Sequence, residues 1–445
     1  MEPRDLVDTA IRLGKEAGAD QVEAFFLEHS NLSIEVRRQR LETLRQSKER
    51  GIGIRVLKGE SLGYAFTSDL TPEALRQSAE SAVDNAKYVS PDPARCLPGS
   101  ETIDLALAQF DPELKATALE KKIDLALAIE QAAFEQDKRI SKSERSVFEE
   151  GEYLVAVANS YGLNVSYKGN FCGGYAWVVA EENGDAQTGS GLFYSTRLSK
   201  IDPEEIGKEA AQEALSLLGA EPVPTQKLAL ILPPQAATQF LGILAPALTA
   251  EAAQKGRSLF AGRVGQHVAS DTVTLVDDGT LRGGINTAPV DGEGVPSQCT
   301  VLLEQGVLKG FLHNSYTAAK DGTCSTGNAM RGSFKGLPNV GPTNLFFAPG
   351  TAKPQDLVGS VKKGLLVLDL LGTHTANPIS GDFSLGATGI LIENGHLTRP
   401  VRGVVLAGNV VTLLKQVQAA ADDLRFYLGY GSPTLLVGPL TVSGT

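Results

Sequence analysis

The period of the apolar positions changes along the chain, and each change marks an element. Residues 6–17 carry helical spacing, whereas residues 22–28 and 32–37 read as strands, the second alternating strictly. Residues 52–56 and 62–66 flank Lys58-Gly59-Glu60, the pattern of a hairpin. Thr71-Pro72-Glu73 then supplies an N-cap, a proline for the first turn and an early carboxylate, which predicts a helix to about Tyr88.

Two proline-rich breaks, Ser90-Pro91-Asp92-Pro93 and Glu221-Pro222-Val223-Pro224, each follow a helical pattern and precede new periodic segments, as linkers do. They divide the chain into an α+β domain at 1–90, a middle α+β domain at 100–220 and a β-rich domain at 226–445. The middle segment echoes the first: Gly63-Tyr64-Ala65-Phe66 recurs as Gly174-Tyr175-Ala176-Trp177, and Thr71-Pro72-Glu73 as Asp202-Pro203-Glu204. The third segment is dominated by hairpin signals at 301–311, around Glu304-Gln305-Gly306, and at 389–399, around Glu393-Asn394-Gly395. Strands at 228–232, 272–276, 364–368, 403–406 and 434–437 complete it, with helices at 235–255 and 409–420. The fold class is therefore α+β, N-terminal α/β layers followed by a mainly antiparallel β domain with a few helices.

At 445 residues the chain is long enough for about three domains. Its formal net charge of -11 argues against nucleic-acid or anionic-membrane binding, since both need basic surface. One basic stretch runs from Arg37 to Arg50, interrupted by Glu42 and Glu49, and reads as a solvated face. The most apolar run, 228–250, is cut by prolines and is no membrane span. No signal-peptide pattern opens the chain, and Cys96, Cys172, Cys299 and Cys324 form no C-x-x-C pair. A reduced, cytoplasmic protein is the expectation.

Candidate chemistry is sparse. The five histidines, His29, His267, His313, His374 and His396, are scattered, so no paired ligand set exists. His374, in Gly372-Thr373-His374-Thr375-Ala376-Asn377-Pro378, is the one loop histidine that reads as functional, with Asp382 and Ser384 at hairpin distance. The loop's Asn377 and Asp382 suit hydrogen bonding to a peptide main chain. Asp291 and Glu293 can hold a cation or a peptide amine, and their plainer reading is a solvated turn that shapes a cleft. His313-Asn314-Ser315 reads as part of a strand and not as a nucleophile and its base. Cys324 has no basic neighbour in sequence to activate it, and no phosphate-binding glycine loop is present.

Several segments, in order, resemble the TldD/PmbA family: Ser258-Leu259-Phe260-Ala261-Gly262, Asp291-Gly292-Glu293-Gly294-Val295-Pro296, residues 303–312 with Ser315-Tyr316, Ser325-Thr326-Gly327-Asn328-Ala329, Ser380-Gly381-Asp382-Phe383-Ser384, Ile392-Glu393-Asn394-Gly395 and Ser432-Pro433-Thr434-Leu435-Leu436. The catalytic branch of that family is a zinc metallopeptidase built on a His-Glu-x-x-x-His helix and a later cysteine. Counted back from Ser258, those metal positions fall near Leu241, Gly242 and Pro246, and no cysteine lies between Asp423 and Pro433. Leu, Gly and Pro neither ligate zinc nor take a proton from its water. Residues 236–253 carry a core-facing apolar stripe instead.

The resemblance thus implies the PmbA/TldE-type subunit, with no catalytic residue, metal ligand or cofactor of its own. Zinc is expected in a TldD-like catalytic partner, or the chain pairs with itself, and the complex acts on small unfolded proteins or peptide precursors. His374, Asn377, Asp382, Ser384, Asp291 and Glu293 are the candidate substrate contacts. The alternatives are a metallopeptidase with an unorthodox site around His374 and Asp382, and a homodimeric peptide-binding scaffold. Metal analysis of the purified chain is expected to find no stoichiometric zinc. One tightly held zinc per chain, lost in His374→Ala, would favour the unorthodox enzyme.

Overall fold

The computed structural model describes residues 2–444. Helix α1 (Pro3–Glu16) buries Leu6, Val7, Ala10 and Leu13 along one face. Strand β1 (Gln21–Arg37), β2 (Arg40–Lys58) and β3 (Ser61–Thr67) form a meander. The two short strands expected at 22–28 and 32–37 are one, because residues 29–31 pair on both sides, His29 with Glu49 and Tyr153, Asn31 with Ser47 and Gly151. Helix α2 (Pro72–Ala86) starts where expected, Thr71 accepting from the Ala74 amide.

The segment that follows repeats this plan. After the short α3 (Pro112–Ala116), helix α4 (Leu119–Gln136) leads into β4 (Ile140–Asn159), β5 (Asn164–Glu182), β6 (Asp185–Ser195) and the covering α5 (Pro203–Ser216). All six strands share one antiparallel sheet in the order β3-β2-β1-β4-β5-β6, so segments 1–90 and 100–220 contribute three strands each. The helix starts at Thr71 and Asp202 are equivalent in this plan. The tetrapeptides are not: Gly63 lies on edge strand β3, whereas Gly174 lies on β5. Gly189 and Gly191 on β6 meet α5 as Gly63 meets α2. A Cβ on Gly63 would stand 1.9 Å from the Ala82 carbonyl oxygen of α2, and one on Gly189 2.3 Å from the Ala210 carbonyl oxygen of α5. Each outer strand therefore needs a glycine to let its helix lie close.

The C-terminal part begins with β7 (Gln226–Leu232), α6 (Pro234–Leu244) and, beyond a 3-10 turn at Ala245–Leu248, α7 (Ala250–Gln254). The continuous helix expected at 235–255 is broken because Pro246 has no N–H to donate. A ring of strands, His396–Asn409, Asp382–Glu393, Lys363–Leu371, β7 and Leu435–Ser443, closes by pairing of its first and last members. A second mixed sheet carries Leu275–Asp278, Cys299–Glu304 and Leu345–Phe347. Both hairpins turn where expected, with Val307 opposite Glu304 and His396 opposite Glu393. The helix expected at 409–420 ends at Lys415, and Val417–Ala420 is a strand on Leu435–Ser443. Sheet pairing prevails there over local periodicity.

Buried charge joins the N-terminal sheet to this domain. Arg55 on β2 contacts Glu23 on β1 and lies 2.7 Å from Glu293 Oε1. Arg331 Nη1 lies 2.9 Å from the other Glu23 oxygen, and its guanidinium covers the Phe25 ring at 4.6 Å. None of the Arg331 nitrogens makes an aligned hydrogen bond, so charge rather than direction holds it. All four side chains are at most 6% exposed. Burial works against the Arg55 charge, and the two carboxylates more than offset it, so its pKa is raised.

Removing one member strands the others. Arg55→Met should cost about 3–5 kcal/mol in chemical denaturation. Pairing that change with Glu293→Gln should recover part of the loss, and an Arg55→Met variant as stable as the parent would show the network to be energetically idle.

Candidate functional site

Helix α6 has two faces with different fates. Ala236, Ala237, Phe240, Leu241 and Leu244 enter the main C-terminal core, where the Phe240 ring meets Phe383 at 5.1 Å. The opposite side, with Thr238, Gln239, Gly242 and Ile243, borders an open cleft of about 520 Å³ together with Pro246 of the 3-10 turn. Thr373, His374, Ala376 and Pro378 form its other wall, and Tyr427 and Tyr430 also line it. A neighbouring hollow of about 350 Å³, extending past Thr249, Lys255 and Arg257, shares Pro246 and Tyr430. Small residues at 242 and 246 make the room.

The cleft is polar at points but holds no metal-ligand set. Leu241 is fully buried in the core, and Gly242 and Pro246 bring no imidazole or carboxylate to the opening. Among the described residues, no group of three or more His, Cys, Asp or Glu is disposed to hold a metal ion. Of the cleft's lining residues only His374 is a common zinc ligand, so zinc does not fit there. What the cleft offers is hydrogen bonding from two phenols, beside Gln239, whose Oε1 is buried without a partner. Burial pushes Tyr427 up to about 12, and burial followed by Asp277 raises Tyr430, so both stay protonated donors at neutral pH.

The loop at 372–384 is held by its own polar groups. Asn377 Oδ1 accepts from the Ile379 amide at 2.9 Å and the Ser380 amide at 3.2 Å. Asp382 accepts from Ser380 Oγ at 2.8 Å and from Asn409 Nδ2 at 2.9 Å, and these bonds, Asn409's first, lower its pKa. Gly372 and Gly381 supply left-handed turns at φ 80 and 77. Of the four residues singled out here, His374 lines the cleft, Asn377 and Asp382 fasten the loop, and Ser384 is exposed on the following strand.

Asp291 and Glu293 lie elsewhere, at the junction with the N-terminal sheet. They are buried at 9% and 0% exposure, so this loop is not the solvated turn expected from its sequence. Asp291 accepts from the amides of Glu293, Val295 and Ala329, and Glu293 from the Ser315 amide at 2.9 Å. Burial and then the Glu293 charge push Asp291 up; burial acts likewise on Glu293, but Arg55 and the Ser315 amide hold it below its ordinary value. Asp291 borders a further hollow of about 500 Å³ with Tyr153, Tyr167 and Phe171, which shares Pro342 with the 350 Å³ one. Ser315 opens a helix, Ser315–Asp321, capped by Asn314, where the sequence suggested a strand. Of the six expected contacts, His374 lines the cleft and Asp291 the further hollow, while Glu293 is fully buried. Sequence reasoning passed over Gln239, Tyr427, Tyr430 and Arg331; the aromatic spacing in Tyr427-Leu428-Gly429-Tyr430 was the available signal for two of them.

A three-part α+β protein with an open, helix-walled cleft on a closed strand ring is the class these features define. Models of the PmbA/TldA metallopeptidase domain 1, central domain and C-terminal domain match residues 22–86, 112–218 and 225–444, and the chain belongs to this PmbA/TldD family. It is 29% identical to the metalloprotease PmbA homolog of Haemophilus influenzae, over 100% of this chain and 96% of that protein. It is also 29% identical to the metalloprotease TldD homolog of the same organism, over 89% and 87%. TldE from Thermococcus kodakarensis has the same fold, with a TM-score of 0.91 at 26% identity over 99% of this chain and 100% of that one. A Thermotoga maritima protein described as a candidate modulator of a DNA gyrase gives a TM-score of 0.91 at 27% identity over 99% of both. The family is thus one of proteins named as metalloproteases or gyrase modulators.

Below the cleft, Glu213 of α5 accepts from the Ser190 amide at 2.6 Å, and burial, with Asp369 and Glu209 adding to it, pushes its pKa up to about 7. The folded state therefore keeps this proton to higher pH than the unfolded chain, and stability falls as pH rises from the ordinary carboxylate range through about 7. Glu213→Gln should raise the melting temperature at pH 8 and leave it nearly unchanged at pH 5. Equal shifts at both values would refute the assignment.

Proposed function

We propose that this chain is the metal-free subunit of a peptide-processing metalloprotease assembly, pairing with a homologue that carries the zinc helix. The observation that supports it most is the cleft itself: the helix face that borders it presents Gly242 and Pro246, while Leu241 is packed into the core. Such a cleft can hold an extended chain, with the two phenols donating to its main chain, but its lining offers no ligand set to activate water. His374 lines the facing wall. The reading takes the assembly to be cytoplasmic and built through the C-terminal domains; among the described residues no helix is long and apolar enough to cross a membrane.

Alone, the chain should leave casein intact. Mixed with a homologue bearing the intact metal helix, it should sediment as a dimer and permit cleavage. His374→Ala is expected to slow the mixed complex without dissociating it. Chelator-sensitive cleavage by this chain on its own, or a monomer at micromolar concentration with the homologue present, would refute the proposal.

A further inference from the structure

The N-terminal sheet carries an unpaired strand edge away from the cleft. β3 covers β2 only from Ile52 to Lys58, so the residues of β2 before Ile52 pair on one side alone, with β1. Residues 40–50 are exposed except for half-buried Thr43 and Glu49, and they include Leu41 at 46% and Leu44 at 40%. A row of open backbone N–H and C=O groups of this length is a template for another extended chain.

The charges on this edge select its occupant. Residues 37–50 hold six Arg and Lys against two Glu, in a chain whose formal net charge is -11. Both carboxylates are already engaged, Glu42 with Arg37 at 3.1 Å and Glu49 with Lys335. Lys48 pairs with Glu28 at 2.8 Å, whereas Arg40, Arg45 and Arg50 have no ion-pair partner among the described residues. Strand alternation puts Arg45 on one face and Lys48 and Arg50 on the other, so cations flank the edge from both sides. Two copies of this edge would bring like charges together, which disfavours self-pairing.

We propose that the edge of β2 at residues 40–50 captures an extended acidic peptide segment as an added strand, its carboxylates meeting Arg40, Arg45 and Arg50. The proposal rests on the peptide-handling reading above and specifies where, and what kind of, chain is held. Backbone pairing supplies affinity, and the unpaired guanidinium groups discriminate by charge.

The test is fluorescence anisotropy of a dye-labelled peptide of about ten alternating Glu and Val residues, a length that matches the free edge, with the full-length chain. Saturable binding is expected, weakening with added salt. The double variant Arg45→Glu, Arg50→Glu should bind about tenfold more weakly, with an unchanged melting curve because both sites are on the surface. The same peptide N-methylated at alternate backbone nitrogens keeps its charge and should lose binding. Equal binding of the N-methylated peptide or of a Lys/Val peptide would overturn the proposal. So would tighter binding of an oligothymidylate, or a dimer of this chain that the double variant dissolves. No cleavage and no partner enter this measurement, so its failure leaves the two-chain proposal standing, and failed cleavage leaves this binding result intact.

Discussion

Four charges taken out of water, Glu23, Arg55, Glu293 and Arg331, constrain how the N-terminal sheet and the C-terminal domain meet. Glu23 and Arg55 lie on neighbouring strands of the sheet, whereas Glu293 and Arg331 come from loops of the other domain. Glu23 and Arg55 pair within the sheet, but Glu293 without Arg55, or Arg331 without Glu23, would be a buried ion lacking that counter-charge. Replacing such a network by apolar residues of the same shape is often neutral, whereas separating its members leaves buried charge uncompensated, and a misdocked sheet would do that. Neutral contacts reinforce the same register, with Tyr64 donating to the Phe334 carbonyl at 2.6 Å and the Phe334 ring lying over Gly51.

That fixed docking leaves the cleft free to vary. α6 is anchored by one face, through Phe240 and its apolar neighbours, and what the cleft presents depends on the remaining side of a single helix. The facing loop needs no help from α6 to keep its shape, since Asn377, Asp382 and Asn409 bond it internally. Chemistry at residues 242 and 246 can therefore change without disturbing the ring of strands beneath. This is one physical route by which similar folds can carry or lack a metal site.

Much of this architecture was legible from period and turn residues. The helix starts at Thr71 and Asp202 and the turns at Gly59, Gly306 and Gly395 depend on local backbone preferences, which a sequence exposes directly. The failures were of another kind. Residues 29–31 look like a break until pairing on both sides carries β1 through them, and residues 417–420 continue a helical pattern until Leu435–Ser443 claims them as a strand. The loop around Asp291 and Glu293 reads as solvated because its counter-charge, Arg55, is contributed by a distant strand. The likeness of Gly63 to Gly174 was a coincidence of letters; its packing likeness is to Gly189 and Gly191 and lies in backbone approach, which no short motif records.

The closed strand ring has a consequence for the order in which the molecule can be made. β7 opens the C-terminal domain, yet its antiparallel neighbour, Leu435–Ser443, is among the last residues described. During synthesis the three-plus-three sheet can form early from its own segments, whereas the ring must wait until nearly the whole domain has emerged. Throughout that interval β7, with Leu228, Leu230, Ile231 and Leu232, lacks its long-range partner, and Glu23 and Arg55 lack the opposing loops. A slow translating or refolding chain is thus most vulnerable to misassociation after its first half is already native.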